Sequence, residues 1–525
     1  MKKLLLLLIT SFTIISCSET EEAKRIQWTS SSPEAIQLFE EMIVMAERNE
    51  WRPKKYEALM DSIRVLDPNF VYSKTRDGFG TNLENRANLL YAYENRSKAS
   101  DIEARLIESY YERNINQNRN KEDEILDALI KDYPEYYQLR IWSGDLKNGL
   151  NEIQACQQRW EEALQINPKS FEAYVNLAFL HFPTDNGFNM LASDERDLKV
   201  ATDFLNKGSK IHPNSSRWSR FLGNVYRAEG DFDKALSAYQ ESLGIIEKFE
   251  AGPESNSYAN SLLMVGHVNT FTGEYDQARE YYDKGIAISN NNWRVSMTIL
   301  KSQTYMYQKD FAGAIYTLSQ MQSEIESMDD EEEITKINFT DRCEFNKFLA
   351  FGHSQKEEET ILSMKKMDDL DDARLRIRLE NAINEDQKER VTITNKKSKM
   401  GVEIWYNILF GKYEEARTLL TEFKPISETQ LSSNPNAMNE YHKFSGYLNL
   451  MEGDPEESIK SYANLSKEVM GNDSYHVYFL ALAKKSVGDV EESNLMFSDL
   501  ANDNFATWQN SIVKNLAKSQ VKVNI

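Results

Sequence analysis

The sequence predicts an all-α protein, an α-solenoid built from repeated helix–turn–helix units. Three observations predict it. Glycine (21 residues) and proline (11) are scarce, against the ~37 and ~26 that average usage of about 7% and 5% would give a chain this long. One stretch, Arg217–Leu243 (RWSRFLGNVYRAEGDFDKALSAYQESL), reads as two amphipathic helices joined by a tight turn at Gly230-Asp231. Small residues then recur twelve positions apart across such turns, at Gly223/Ala235, Gly266/Ala278, Ser302/Ala314, Gly446/Ser458 and Ala481/Ser493. A small residue on each helix lets the two axes approach closely, and Tyr226 and Tyr239 fill the space beside the Gly223/Ala235 contact.

At the N-terminus, Lys2-Lys3 precede an apolar run from Leu4 to Ile15, too short to span a bilayer but of signal-peptide length. The run ends Ile14-Ile15-Ser16-Cys17, which resembles a bacterial lipoprotein cleavage box. The resemblance implies a signal peptide over 1–16, lipid on Cys17, and an anchor and acidic tether over 17–32. The alternative is an ordinary signal followed by an incidental cysteine. Ser18-Glu19-Thr20-Glu21-Glu22 resembles the acidic export signal of some surface lipoproteins. The implied location is the cell envelope, as an outer-membrane lipoprotein on the periplasmic face or the cell surface.

From Pro33 the chain divides into three parts. Residues 33–326 form a first array. It opens with a helix carrying Ile36, Leu38, Phe39, Ile43 and Met45, then a second helix from about Pro53 to Leu66. Ile102 to Tyr136 gives another pair, and Gln157 to Asn176 joins the second helix of one unit to the first of the next. An insertion from Thr184 to about Glu195 delays the partner helix carrying Ala201 and Leu205. Residues 327–399 contain the acid run Asp329–Glu333 and read as a degenerate helical connector. Residues 400–525 form a second array with explicit turn chemistry. Gly411, Gly453 and Gly488 end first helices. Asp454 and Asp489 cap the next helices, with Glu457 and Glu492 placed to complete capping boxes. A last helix, Phe505 to Val521, would cover the open end of the stack.

Leu222-Gly223-x2-Tyr226 followed by Ala235-x3-Tyr239 resembles the tetratricopeptide repeat, and Trp160, Ala163 and Pro168 fall at the same family's spacing. The family's tryptophan would fall at Ser219, one residue after Trp218. The resemblance covers most of 33–525 and implies a non-catalytic scaffold whose first helices line a concave groove holding a protein or peptide. SSSPEA, a helix pair and then DPNF also resemble the opening of some exported proteins with degenerate repeats of this kind.

The formal charge of −21 is spread along the whole chain, which argues against nucleic acid bound through a basic surface. No HExxH, GxSxG, Walker or CxxC motif occurs, and the six histidines are scattered without metal-binding spacing, so no metal, cofactor or catalytic residue is expected. Asp329–Glu333 lacks the spaced oxygens and glycine turn of a calcium loop. Cys156 and Cys343 read as inert buried thiols, with Cys156 in a small-residue slot. Two alternatives stand beside the scaffold: a glycan- or nutrient-capture surface lipoprotein, against which the low glycine and proline counts argue, and a structural subunit of an envelope assembly.

One helix face carries the site candidates. Arg217, Arg220, Asn224 and Arg227 share a stripe at i, i+3, i+7 and i+10, and neighbouring first helices add Asn260, His267 and Gln303. By family geometry this face points into the groove. Three arginines there could clamp a carboxylate by forked hydrogen bonds. The alternative is that they pair with acids on the preceding repeat.

Overall fold

The computed structural model describes residues 23–48, 52–76, 82–182, 188–250, 252 and 256–522. The leader and Cys17 lie outside the described residues. Among those described are 25 α-helices and no strand, so the fold is an all-α solenoid. It opens with α1 (Pro33–Glu47), α2 (Pro53–Leu66), a 3-10 turn at Tyr72–Arg76 and α3 (Asn82–Asn95). Then come α4 (Asp101–Tyr111) with a π-helical turn at Glu112–Asn116, α5 (Arg119–Asp132), and the pair α6 (Tyr137–Gly149) and α7 (Ile153–Ile166). The next pairs are α8 (Phe171–Phe179) with α9 (Leu198–Ile211), α10 (Ser216–Glu229) with α11 (Phe232–Phe249), and α12 (Asn256–Thr272) with α13 (Tyr275–Ile288). They lead to α14 (Asn291–Tyr307) with α15 (Phe311–Glu326), and to the long helices α16 (Glu333–His353), α17 (Glu357–Glu380) and α18 (Glu385–Leu409). The chain ends with α19 (Tyr413–Thr429), α20 (Asn439–Met451), α21 (Pro455–Tyr462), α22 (Lys467–Gly471), α23 (Ser474–Ser486), α24 (Val490–Asn502) and α25 (Trp508–Lys522).

A repeated contact explains why helix pairs close at one spacing. A Cβ on Gly144 would lie 2.3 Å from Trp160, on Gly223 2.4 Å from Tyr239, on Gly266 2.7 Å from Tyr282, and on Gly446 2.6 Å from Tyr462. Each ring sits sixteen residues after its glycine and is buried. The ring fills the hollow left by the missing side chain, so the glycine sets the approach distance and the ring supplies the buried area.

Turn chemistry follows the sequence in most places. Gly230 ends α10 at φ +79°, in the left-handed region that glycine enters without steric cost. Lys309 takes the equivalent place after α14 at φ 61°. Asp454 caps α21 by accepting from the Glu457 amide at 3.0 Å, but Glu457 accepts from Lys460 (3.1 Å) instead of completing a capping box. Asp489 makes no side-chain cap bond, and Lys484 lies 3.3 Å from its carboxylate. The one capping box noted among the described helices is Ser100/Glu103, at α4. Cys156 and Cys343 are free and buried, and burial pushes both thiols up to about 12, which keeps them protonated and inert.

Three segments depart from expectation. The tether expected to run to Ser32 is packed from Ala23 onward, because Ile26 and Trp28 are buried and Trp28 stacks on Tyr72 at 4.8 Å. Asp67 fixes its end, accepting from Ser30 Oγ (2.6 Å), the Ser31 amide (2.8 Å) and the Asn69 amide (2.9 Å). Across 327–399 the stack runs on, with α15 packed on α16 and α17 on α18. The last helix, expected to cap an open end, instead begins at Trp508 and packs on α14 as well as on α23 and α24.

The C-terminal half thereby closes onto the N-terminal half. Gln387 at the start of α18 accepts from Arg86 Nη2 (2.8 Å) and donates to the Ile115 carbonyl (3.2 Å). Asn436 donates to the Leu150 carbonyl at 2.9 Å, and Asn120 to the Ser432 carbonyl at 2.8 Å. Lys467 pairs with Asp194 at 3.0 Å, and Arg196 donates to the Gly471 carbonyl at 3.1 Å. Asn504 donates to the Arg227 carbonyl (3.1 Å) and Asn515 to the Tyr307 carbonyl (2.8 Å). Phe505 enters the core formed by Phe171, Phe179, Trp218, Phe221 and Val225.

Candidate ligand-binding surface

The residue after each packing glycine has a fixed task in three units. Tyr239 Oη donates to Asn224 Oδ1 at 2.7 Å, Tyr282 Oη lies 2.8 Å from His267 Nδ1, and Trp160 Nε1 donates to Asp145 Oδ1 at 3.2 Å. Asn224 and His267 therefore act first as anchors for buried rings. Burial, with Arg227 adding like charge, holds the His267 imidazole well below its ordinary pKa, so it is neutral at neutral pH. Asp145 occupies the same position in α6, and sequence reasoning passed over it. The available signal was Gly144-Asp145 with an aromatic residue sixteen places after the glycine, as at Gly223 and Gly266.

The arginine stripe is enclosed. Arg217, Arg220, Asn224, Arg227, His267 and Gln303 are all buried, and Asn260 is partly buried. Arg217 Nη1 donates to Ser257 Oγ at 3.2 Å. Arg220 lies over the Phe221 ring at 5.0 Å. Arg227 reaches Met264 Sδ at 3.7 Å and lies 4.2 Å over the ring of Phe505. The contacts of Arg217 and Arg227 run to the following repeat, and that of Arg227 also to the C-terminal segment. Replacing Arg220 and Arg227 with alanine is therefore expected to cost about 1–3 kcal/mol by loss of packed side chain. Thermal melting checks this; an unchanged profile with lost partner capture would instead make the stripe a ligand clamp.

An open cavity lies elsewhere, between the first helices α4, α6 and α8. It measures about 230 Å³ and is lined by Arg76, Tyr110, Arg113, Glu122, Trp142, Asp145 and Glu172. A second cavity of about 370 Å³, lined by Arg25, Glu47, Tyr137, Lys169, Glu172 and His212, shares Glu172 with it. Most of these charges are already matched. Glu122 accepts from Arg113 Nε at 2.5 Å and from Arg119 at 3.1 Å. Glu47 takes a forked pair from Arg25 at 2.9 and 2.8 Å and accepts from Tyr137 Oη at 3.2 Å. Arg76 lies 4.9 Å over Tyr110 and 5.3 Å over Trp142, and its buried Nε finds no acceptor among the described residues.

Two carboxyls are treated differently. Asp145 Oδ1 accepts from Trp160 and from Asn176 (2.9 Å), while its second oxygen has no hydrogen-bond partner among the described residues. Burial pushes Asp145 up to about 7. Glu172 has neither a hydrogen bond nor an ion pair among the described residues. Burial, then the nearby charges of Glu47 and Asp145, push it well above the ordinary carboxylate range, against Arg76 and Arg25. Among the described residues no group of His, Cys, Asp and Glu side chains is arranged to hold a metal ion.

Residues 215–291 match the tetratricopeptide repeat family, the stretch that contains the Gly223–Tyr239 and Gly266–Tyr282 contacts. None of the curated proteins matches the chain. Among solved structures, a tetratricopeptide repeat protein from Parabacteroides merdae ATCC 43184 is 11% identical, covering 59% of this chain and 99% of its own, with a TM-score of 0.34. The apo form of RapI is 12% identical, covering 87% and 99%, at 0.35. Pseudomonas aeruginosa pilF is 13% identical, covering 48% and 95%, at 0.27. The chain is an all-α solenoid with a tetratricopeptide-repeat match over residues 215–291.

Proposed function

We propose that the protein is a non-catalytic scaffold, lipid-anchored in the cell envelope, that holds a partner protein or peptide along its first helices. The observation that carries this is the family match over 215–291, since repeats of that family mediate protein–protein contacts. The cavities beside α4, α6 and α8 add a recess reached from those helices. The charged leader, the apolar run to Ile15 and the Ile14-Ile15-Ser16-Cys17 box support an outer-membrane lipoprotein. Ala23, six residues after Cys17, is packed against the body, so a lipid on Cys17 would tie the body within roughly 20 Å of the bilayer even at full extension.

Cys17→Ala is expected to abolish incorporation of labelled fatty acid and to move the protein out of the membrane fraction. Continued labelling of that variant would overturn the lipoprotein assignment. Capture from detergent-solubilised envelope tests the scaffold itself: a co-purifying protein is expected, whereas retention of sugars alone would favour glycan capture. Protease shaving of intact cells separates the cell surface from the periplasmic face.

A further inference from the structure

We infer that the cavity between α4, α6 and α8 receives a basic side chain, the ammonium of a lysine or the guanidinium of an arginine, presented by a partner peptide. This rests on the scaffold function proposed above and names the chemistry of its ligand. The wall is not evenly matched. Arg113 already serves Glu122, and Arg25 serves Glu47, through direct hydrogen bonds. Asp145 keeps one oxygen without a hydrogen-bond partner, and Glu172 keeps its whole carboxyl without one, among the described residues lining the cavity. The remaining arginine, Arg76, is held against Tyr110 and Trp142 at 4.9 and 5.3 Å. Arg76 and Arg25 act on Glu172, and Arg113 on Asp145, only through space; what the recess offers is two carboxyls that can still take a directly hydrogen-bonded cation.

Size and chemistry narrow the class. About 230 Å³ is smaller than the ~300–1,000 Å³ of drug-sized ligand pockets and suits one long side chain. No group arranged for a metal ion occurs among the described residues, so an organic cation fits better than a divalent one. Lysine and arginine bring an apolar stem for Leu106 and Trp142 and a charged head for the carboxyls.

The cavity also predicts a proton signature. Burial raises Asp145 to about 7 and Glu172 well above its ordinary range. A bound cation favours the ionised form of each and lowers both pKa values. Binding near neutral pH therefore releases protons, and affinity rises as pH increases until both carboxyls are ionised. Arg25, Arg76 and Arg113 stay charged throughout this range and face the two carboxyls together with Glu47, which burial raises above the ordinary carboxylate range.

The test is calorimetric titration of the full chain in detergent with acetyl-Gly-Lys-Gly-amide, acetyl-Gly-Arg-Gly-amide and the norleucine analogue. The basic peptides are expected to bind and the norleucine peptide not to, with heats that vary with buffer ionisation enthalpy because protons are released. Glu172→Gln removes no hydrogen bond among the described residues, so it is expected to fold and to weaken the basic peptides at least about tenfold. Equal binding of the norleucine peptide, or unchanged affinity in Glu172→Gln, would overturn the inference. So would cadaverine binding as tightly as the lysine peptide, which would assign the recess to a free diamine. Failure of the wild-type protein to capture any envelope partner strikes the scaffold proposal instead. Partner capture undiminished in Glu172→Gln strikes only the present one.

Discussion

Replacing Phe505 with alanine is expected to cost about 3–5 kcal/mol, the range for deleting a buried phenylalanine side chain. The ring is 3% exposed and packs among Phe171, Phe179, Trp218, Phe221 and Val225, residues that precede it by more than 270 positions. Its loss also removes the surface over which Arg227 lies at 4.2 Å and leaves that guanidinium without its aromatic partner. The damage should be concentrated at the closure, where Asn504 and Asn515 hold the carbonyls of Arg227 and Tyr307. Hydrogen exchange should therefore rise first across 503–522 and the end of α10. Unchanged protection in both segments would show that the closure does not depend on this ring.

Gly223→Leu is expected to destabilise the protein at the upper end of the about 1–3 kcal/mol typical of overpacking. A Cβ alone would lie 2.4 Å from Tyr239 Cε1 and 2.7 Å from Cδ1, before any further atoms of leucine are placed. The ring has little room to yield, since Tyr239 is fully buried and its hydroxyl is held by Asn224 at 2.7 Å. Differential scanning calorimetry checks the outcome. A transition split into two, with the lower one assigned to α10 and α11, is expected for a solenoid whose stability is set largely by neighbours. A wild-type melting profile would mean that the helix contact is misassigned.

The repeating architecture was legible because it is periodic. The twelve-residue spacing of small residues, the glycine turns and the scarcity of breakers each report a local geometry that every helix pair must satisfy. Asn224 and His267 could be assigned to first helices for the same reason. Their hydrogen bonds to Tyr239 and Tyr282 were not anticipated, because the twelve-residue pattern compares glycine with the opposite helix's small residue and stops short of the ring. Asp145 follows once glycine is paired with the aromatic residue sixteen places on. Glu172 follows from nothing periodic: it is the side chain that α8 brings beside α4 and α6. The enclosure of Arg227 was equally hidden, since Phe505 belongs to a short stretch between helices and carries no repeat signal. An end cap was the expectation for that region, but Phe505 buries its ring in the core shared by α8 and α10, and Trp508 joins the core that contains Met306 of α14.

The closure also changes how such a chain can reach its native state. An open helical stack assembles from near neighbours, so it can nucleate in several places and grow outward with little loop entropy to overcome. Here the bonds from Asn504 to Arg227, from Asn436 to Leu150 and from Gln387 to Ile115 join residues separated by 277, 286 and 272 positions. Contacts of that separation form late and slowly. A chain that emerges N-terminus first holds α10 complete while the segment that covers it has yet to appear. For that interval the side of Arg227 and of the Phe171–Val225 core that Phe505 covers stands open to solvent, so the newly made protein carries an adhesive face that its own C-terminal segment later removes.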